Sequence, residues 1–483
     1  MAMQLWHLRR RVHVSWMIAL CCSFFVIGVW LAQYISLHPW WYVGAGTLGF
    51  VGFWSRRVLV LPVIALAGAV AGICYGSIVD SGMEVYRPLV GVTLKLEGRV
   101  KEDLSTTAKG LSVLQLDRVR YEGVELPGSV WVSVLGHPAA KRGDIVVVTG
   151  RTTEGFGTFA LTMFTAKVIS VTHPQPGDIG RVIRDWFADA IRKGIPEPEA
   201  SLGIGYLTGQ KSALPPDLAT ALQIAGLSHV VVASGYNLTI LVRLARRLFI
   251  RFSKFLSVFG SGVMIAGFIS LTGLSPSMTR AGLVSSLSLA TWYYGRQFHP
   301  FVLLPLAAAI TVLWQPSYAW GDLGWQLSFA AFAAVMVVGP LLQRYFFGEK
   351  EPGTIRQVLG ETVAAHMVTI PIVVPAFGYI SNVAIPANIL IVPLVPLAML
   401  LTFTVGITAL TIPAAVEYVG MPVTWLLHYM TFTAQFLAGL PWAKTTLVTP
   451  WWAVVGYSAL LIAGCVYMQR KTGFRLREVN IVE

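Results

Sequence analysis

His229, Ser234 and Asn237 stand within GLSHVVVASGYNL, residues 226–238, a stretch that is otherwise apolar and carries Gly226 and Gly235. Their spacings are five, three and eight. Only Ser234 and Asn237 fall strictly on one helix face, with His229 and Asn237 approximately so. Two readings fit such a set. In one, small residues let helices approach closely and the polar side chains hydrogen-bond across the contact. In the other, the helix is broken and lines a cavity, the setting in which irregular backbone is tolerated within a membrane.

More polar residues sit in apolar surroundings. Arg280 stands in MTRAGLVSS, Asp322 and Gln326 in GDLGWQLSF, and His366, Asn388, His428 and Gln435 follow. Ionisable groups at membrane depth are costly and face a cavity or a partner. Arg280 and Asp322 are predicted at similar depth, so an ion pair between them is one expectation. An Arg280 that faces an aqueous path and meets anionic cargo is the other. His229, Ser234, Asn237, Arg280, Asp322, Gln326, His366 and Asn388 are therefore the candidate channel or cavity residues. The segment 371–397 is dense in proline and holds Asn382 and Asn388, which predicts kinked or re-entrant helices.

Other chemistries lack their residues. GYLTGQKS at 205–212 has the wrong glycine spacing for a phosphate-cradling loop. No H-x-H or H-E-x-x-H occurs among the nine histidines, and no G-x-S-x-G elbow is present. No motor, no metal, no cofactor and no enzymatic activity are expected. The four cysteines, Cys21, Cys22, Cys74 and Cys465, lie in apolar runs without a CxxC pair, so neither a zinc site nor a disulfide framework is indicated.

The elements that must position these residues follow from composition. Of 483 residues, 55% are hydrophobic and 12% charged, where a soluble domain has about 25% charged. The fold class is a polytopic α-helical membrane protein with an inserted small β-barrel. Residues 1–87 are predicted to hold about three membrane helices, near 14–35, 38–54 and 58–79. The first follows a basic start but is too long for a signal peptide, and is read as a retained span. Residues 88–172 change to period two. VTLKLEGRV places Val92, Leu94, Leu96 and Val100 on one side, and about five short strands predict an OB-like barrel. Residues 173–222 read as an amphipathic, interfacial linker.

Residues 223–470 hold about nine further spans, which makes about twelve in all. Residues 471–483 form a basic tail. The net charge of +13 concentrates in loops such as RLARRLFIRFSK and QRYFFGEKEPGTIRQ. By the positive-inside rule both termini are cytoplasmic and the barrel is extracytoplasmic. The localisation is thus the cytoplasmic membrane, with the lipid bilayer as a partner.

Taken together, several long motifs in order resemble the ComEC-type competence protein family. GIGYLTGQKSALPPDLATALQIAGLSHVVVASGYNL resembles the family's G-L-S-H-x-x-A-x-S-G stretch. PSMTRAGLVSS resembles its P-x-x-x-R-A segment, and QPSYAWGDLGWQLSFAAF its D-x-G-F-Q-L-S-F segment. FGYISNVAIPANILIVPLVPL resembles a fourth. Asn237 stands where many members carry histidine. Many members also end in a metallo-β-lactamase-like domain that is not found after this chain's last helix, so any degradation of the second strand is expected to need another protein, a separate nuclease.

The resemblance implies a channel passing single-stranded DNA into the cytoplasm during natural transformation. It also implies a DNA receptor and a cytoplasmic helicase or ATPase as partners. The barrel is expected to receive the strand, with Tyr121 and Trp131 as the DNA contacts. Residues 88–172 carry ten Lys/Arg against eight Asp/Glu, which is no basic funnel. A transporter or flippase of a smaller anionic or lipid-like solute is the alternative, and a scaffold binding a partner through the barrel is a third. With no motor motif, an ATPase partner or the proton gradient is expected to drive transport.

Overall fold

The computed structural model describes residues 12–106, 111–136, 138–175, 177–210, 214–231, 235–273, 275–295, 299–348 and 353–473. They form two compact units, Met1–Asp178 with Phe298–Trp325, and Ile179–Gln297 with Gln326–Glu483.

The first unit begins with three helices, α1 (Val14–Leu31), α2 (Trp41–Ser55) and α3 (Leu61–Met83). Gly68, Gly72 and Gly76 recur every fourth residue of α3 and so share a face. A Cβ at Gly72 would stand 2.2 Å from the Phe25 carbonyl oxygen, and one at Gly68 2.5 Å from that of Cys21. Only glycine lets α1 approach this closely, the small-residue packing that serves apolar helices lacking a hydrophobic drive between them.

The barrel follows: β1 (Thr93–Val100), β2 (Ser112–Tyr121), β3 (Val130–Val134), β4 (Ile145–Glu154) and β5 (Leu161–Thr172). β1 pairs antiparallel with both β2 and β4. β2 pairs antiparallel with β3, and β4 with β5. β3 and β5 are parallel. The order β1-β2-β3-β5-β4-β1 closes on itself, so these five strands leave no free edge.

Leu94, Leu96 and Val100 point into the core with Leu114, Leu116, Val132 and Val148, as the alternation predicts. Val92 precedes β1 and is exposed. Outside the core, Arg99 and Asp117 face each other across β1 and β2 in a bidentate pair, at 3.0 and 2.7 Å. That hydrogen bonding raises the guanidinium pKa above its ordinary value.

The helix Pro300–Trp314 belongs to this unit. Tyr75 of α3 donates its hydroxyl to the Leu313 carbonyl at 2.7 Å. Gly157, in the β4–β5 loop, meets Gly321 backbone to backbone; a Cβ at Gly157 would lie 2.8 Å from the Gly321 oxygen.

The second unit is helical. In chain order it holds α4 (Ile179–Arg192), α5 (Glu199–Thr208), α6 (Pro216–Ile224), α7 (Ser228–Val231), α8 (Gly235–Phe249), α9 (Lys254–Thr272) and α10 (Pro276–Tyr293). After Pro300–Trp314 come α11 (Leu323–Ala333), a π-helical turn at Ala334–Val338, and α12 (Gly339–Phe347). The unit ends with α13 (Thr354–Phe377), α14 (Ala384–Ile391), α15 (Val395–Thr411), α16 (Val416–Ala438) and α17 (Trp451–Thr472). A two-stranded ribbon pairs Tyr379–Ser381 with Lys444–Thr446.

One core joins α4, α5 and α6 to α14, α15 and α16. Every residue of α5 is buried. Residues 199–208 are thus the packed interior of this unit, where the sequence reading placed linker. Their ten-residue length and proline-rich flank hid an apolar element too short to cross alone. α4 presents Ala188 and Ile191 to the core while Ile179, Val182, Ile183 and Trp186 are exposed. Two further cores lie among α8, α9 and α10, and among the π-helical turn, α12, α13 and α17.

Among the described residues, seven helices are long and apolar enough to cross a membrane, where about twelve spans were expected. α2, α8 and Pro300–Trp314 have 15 residues each, about 22 Å at 1.5 Å per residue against a hydrocarbon core of about 30 Å. α10 and α16 are long enough, but Ser, Thr and Arg280 in one, and Glu417, His428 and Gln435 in the other, lower their apolarity.

Candidate functional site

The segment that opens the sequence reading is divided between α7 and α8. Ser234 lies outside the described residues. Gly226 has φ +71°, a conformation glycine adopts freely. A Cβ there would lie 2.8 Å from that of Ala384 on α14. His229 is exposed and its Nδ1 lies 2.9 Å from the Gly226 carbonyl oxygen, so the ring folds back over the turn. Gly235 starts α8 against α10: a Cβ would stand 3.0 Å from that of Ala281 and 3.3 Å from Nη2 of Arg280.

Asn237 is completely buried and its Nδ2 donates to the Tyr206 carbonyl at 3.0 Å. It thereby ties α8 to α5. Asn388 is also buried, with its Nδ2 donating to the Ala384 carbonyl at 2.8 Å, one turn back on α14. Both amides serve backbone carbonyls, which need such donors in an apolar interior.

Arg280 is 9% exposed. Its guanidinium lies 5.7 Å from the ring centre of Phe329 and 5.5 Å from that of Phe332, both on α11. Each aromatic face contributes about 0.5–2 kcal/mol. Its Nε has no hydrogen-bond partner among the described residues. Asp322 accepts the backbone N–H of Trp325 through Oδ1, the N-cap arrangement that satisfies a free amide at a helix start. Gln326 is half-buried one turn before Phe329.

His366 is half-buried on α13, and its carbonyl accepts from Thr369 Oγ1 at 3.3 Å. Among the described residues no hydrogen bond joins it to the 226–238 segment. The structure therefore gathers His229, Asn237, Arg280 and Asn388 around that segment, with Gln326 on the helix that carries the two phenylalanines. Asp322 falls in the first unit as a helix cap.

Within the barrel, Tyr121 ends β2 and packs partly against the core. Trp131 turns outward from β3. Its ring centre lies 5.6 Å from Phe156 and 5.3 Å from Phe164, and Phe156 meets Phe159 at 5.6 Å. Phe156 and Phe164 are half exposed. Alternation along β3 sends Val130, Val132 and Val134 inward and Trp131 out.

Glu199 is among the buried polar residues that stand outside the candidates named from the sequence. Glu199 starts α5 and its Oε1 lies 2.8 Å from Nδ1 of His428 on α16. Its neighbours Glu197, Pro196 and Pro198 give it the appearance of a solvated turn.

A family model described as Competence protein matches residues 206–471, more than half of the chain. ComE operon protein 3 of Bacillus subtilis (strain 168) is 22% identical over 249 residues, which cover 49% of this chain and 31% of that protein. The match spans under a third of that relative's length. No solved structure matches.

Proposed function

Because the chain belongs to the competence protein family, whose model covers more than half of it, we propose that it forms the membrane passage for single-stranded DNA into the cytoplasm. The observation that carries this reading is the family match across the helical unit that contains the 226–238 segment, Arg280 and Asn388. Arg280 supports it physically. A buried cation cushioned by two aromatic faces, with no anion paired to it among the described residues, is poised for a phosphate, which forms charge-assisted hydrogen bonds with a guanidinium. His229, Ser234, Asn237, Gln326, His366 and Asn388 shape the path around it. Asp322 fixes the start of α11.

In this reading the shorter or more polar helices complete the crossing beside the seven long ones. A polar helix is tolerated in a membrane when it faces a pathway or another helix. Basic loops support termini in the cytoplasm and a barrel outside. The barrel's strand order, with its parallel β3–β5 pair, supports an OB-like fold. Trp131 with Phe156 and Phe164 offers the strand a stacking platform, and Tyr121 a second contact. A DNA receptor delivers the strand and a cytoplasmic helicase or ATPase draws it in. The chain itself performs no catalysis.

Uptake of labelled linear DNA tests this in cells deleted for the gene and complemented with wild type or Arg280→Ala. Without the protein, DNA is expected to reach the exterior but not the cytoplasm. Arg280→Ala, at normal membrane levels, is expected to reduce internal DNA at least tenfold. Internal DNA unaffected by the deletion would sink the reading and turn the search to a smaller anionic solute.

A further inference from the structure

Glu199 and His428 form an isolated carboxylate–imidazole contact inside the helical unit. The Glu199 side chain is 8% exposed, and that of His428 67%. His428 stands near the middle of α16, which at 23 residues is about 34 Å long. A carboxylate this deep costs several kcal/mol unless paired and hydrogen-bonded. Here the imidazole pairs it on one side while opening to the surroundings on the other.

A second observation lies one turn along α5. A Cβ at Gly203 would sit 2.9 Å from Thr402 Oγ1 of α15, and that buried hydroxyl has no hydrogen-bond partner among the described residues. Two turns from Glu199, Tyr206 offers its carbonyl to Asn237. The wholly buried α5 thus joins this pair directly to the 226–238 segment.

We propose that Glu199 and His428 are a proton-binding site through which a transmembrane proton gradient acts on this protein. With Glu199 ionised, His428 Nδ1–H donates to its Oε1 and leaves Nε2 as the acceptor on the open ring. Nε2 takes a proton from hydronium, leaving water and an imidazolium held against the carboxylate. Return of that proton to water on the other side regenerates hydronium and restores the neutral ring, so water and its proton are the only co-reactants. Mid-span histidine and carboxylate residues are the usual carriers in such relays.

The surroundings leave the pair to respond alone. α14 and α15 pack against α16 and carry no titratable side chain. On α4 and the turn after it, Arg184 is tied to Asp185, and Arg192 to Asp189 and Glu197. Arg181 and Lys193 complete that element's charges. The remaining titratable groups on packed elements are His229 on α7, Lys254 on α9 and Asp217 on α6, with Tyr206 on α5. α16 itself adds Glu417, Tyr418 and Tyr429. None of these forms an ion pair with Glu199 or His428 among the described residues.

The full chain in liposomes with an entrapped pH-sensitive dye tests the proposal. An acid step outside is expected to acidify the lumen several-fold faster than in protein-free vesicles. Glu199→Gln and His428→Gln keep a hydrogen-bonding group but cannot titrate, and are expected to return the rate to the protein-free level. Glu417→Gln is expected to leave it unchanged. Wild-type rates in both variants at equal incorporation overturn the proposal, as does a wild-type rate no higher than that of empty vesicles.

Should a variant fail to insert, the wild-type infrared difference spectrum between about pH 5 and about pH 8 decides. Imidazole bands that titrate in that range together with a frequency shift of a carboxylate band support the pair; an imidazole spectrum constant across that range overturns it. The assay contains no DNA, so its failure is distinct from a failure of the channel reading.

Discussion

The Asn237 amide and the Tyr206 carbonyl meet where no water reaches, so each depends on the other. Asn237→Ala leaves that carbonyl unpaired, at a cost of about 1–3 kcal/mol. A measurable fall in thermal unfolding temperature in detergent is expected, and an unchanged one would assign the contact no weight. Asp322→Ala removes the cap on α11 and is expected to cost about 0.5–2 kcal/mol, read from the same measurement. Both residues are conspicuous in sequence as polar groups within apolar runs. Their partners are not. Arg280 lies against aromatic rings and Asp322 caps its own helix, contacts that neither residue's charge announces in the sequence. Glu199 went unnoticed because a carboxylate beside two prolines looks like a surface turn, and only its contact with α16 distinguishes it.

α1 and α3 touch through glycines, which makes their packing sensitive to a single methyl group. Gly72→Ala places a Cβ within 2.2 Å of backbone that cannot rotate away. It is expected to cost about 1–3 kcal/mol by overpacking, seen as a lower unfolding temperature; retention of wild-type stability would show that the two helices slide apart freely. The four-residue glycine interval is plain in the sequence, though which helix it receives is not. The barrel strands are legible because one face is buried and the other is not, which imposes a period of two. The buried α5 offers no such contrast. Beyond Glu199 at its start, its apolar, small and hydroxyl-bearing residues are spread over every face, so it carries no periodicity that separates it from a linker.

Seven long apolar helices and several polar or short ones share the membrane reading of the whole chain, and that division bears on topology. Accessibility labelling in a background with all four cysteines replaced by alanine checks the orientation. Glu125→Cys in the barrel is expected to react with an impermeant thiol reagent from outside. Arg251→Cys, between α8 and α9, is expected to react only after permeabilisation. The opposite pattern would invert the orientation drawn from the basic loops. The family match begins at residue 206, inside α5, so the core of the helical unit extends to the N-terminal side of the matched region.

Sequence alone determined the membrane class, the inserted β segment, the family and the polar residues of the helical stretch. Each of these rests on composition, on alternation or on motifs local to the chain, which survive without knowledge of contacts. The tertiary structure decided which strands close the barrel, and that Trp131 faces outward with Phe156 and Phe164. It also placed α5 at the centre of the helical unit and Glu199 against His428. Those outcomes join residues as far apart as 199 and 428. Such pairings arise from the geometry of packed helices, on which sequence spacing places no constraint.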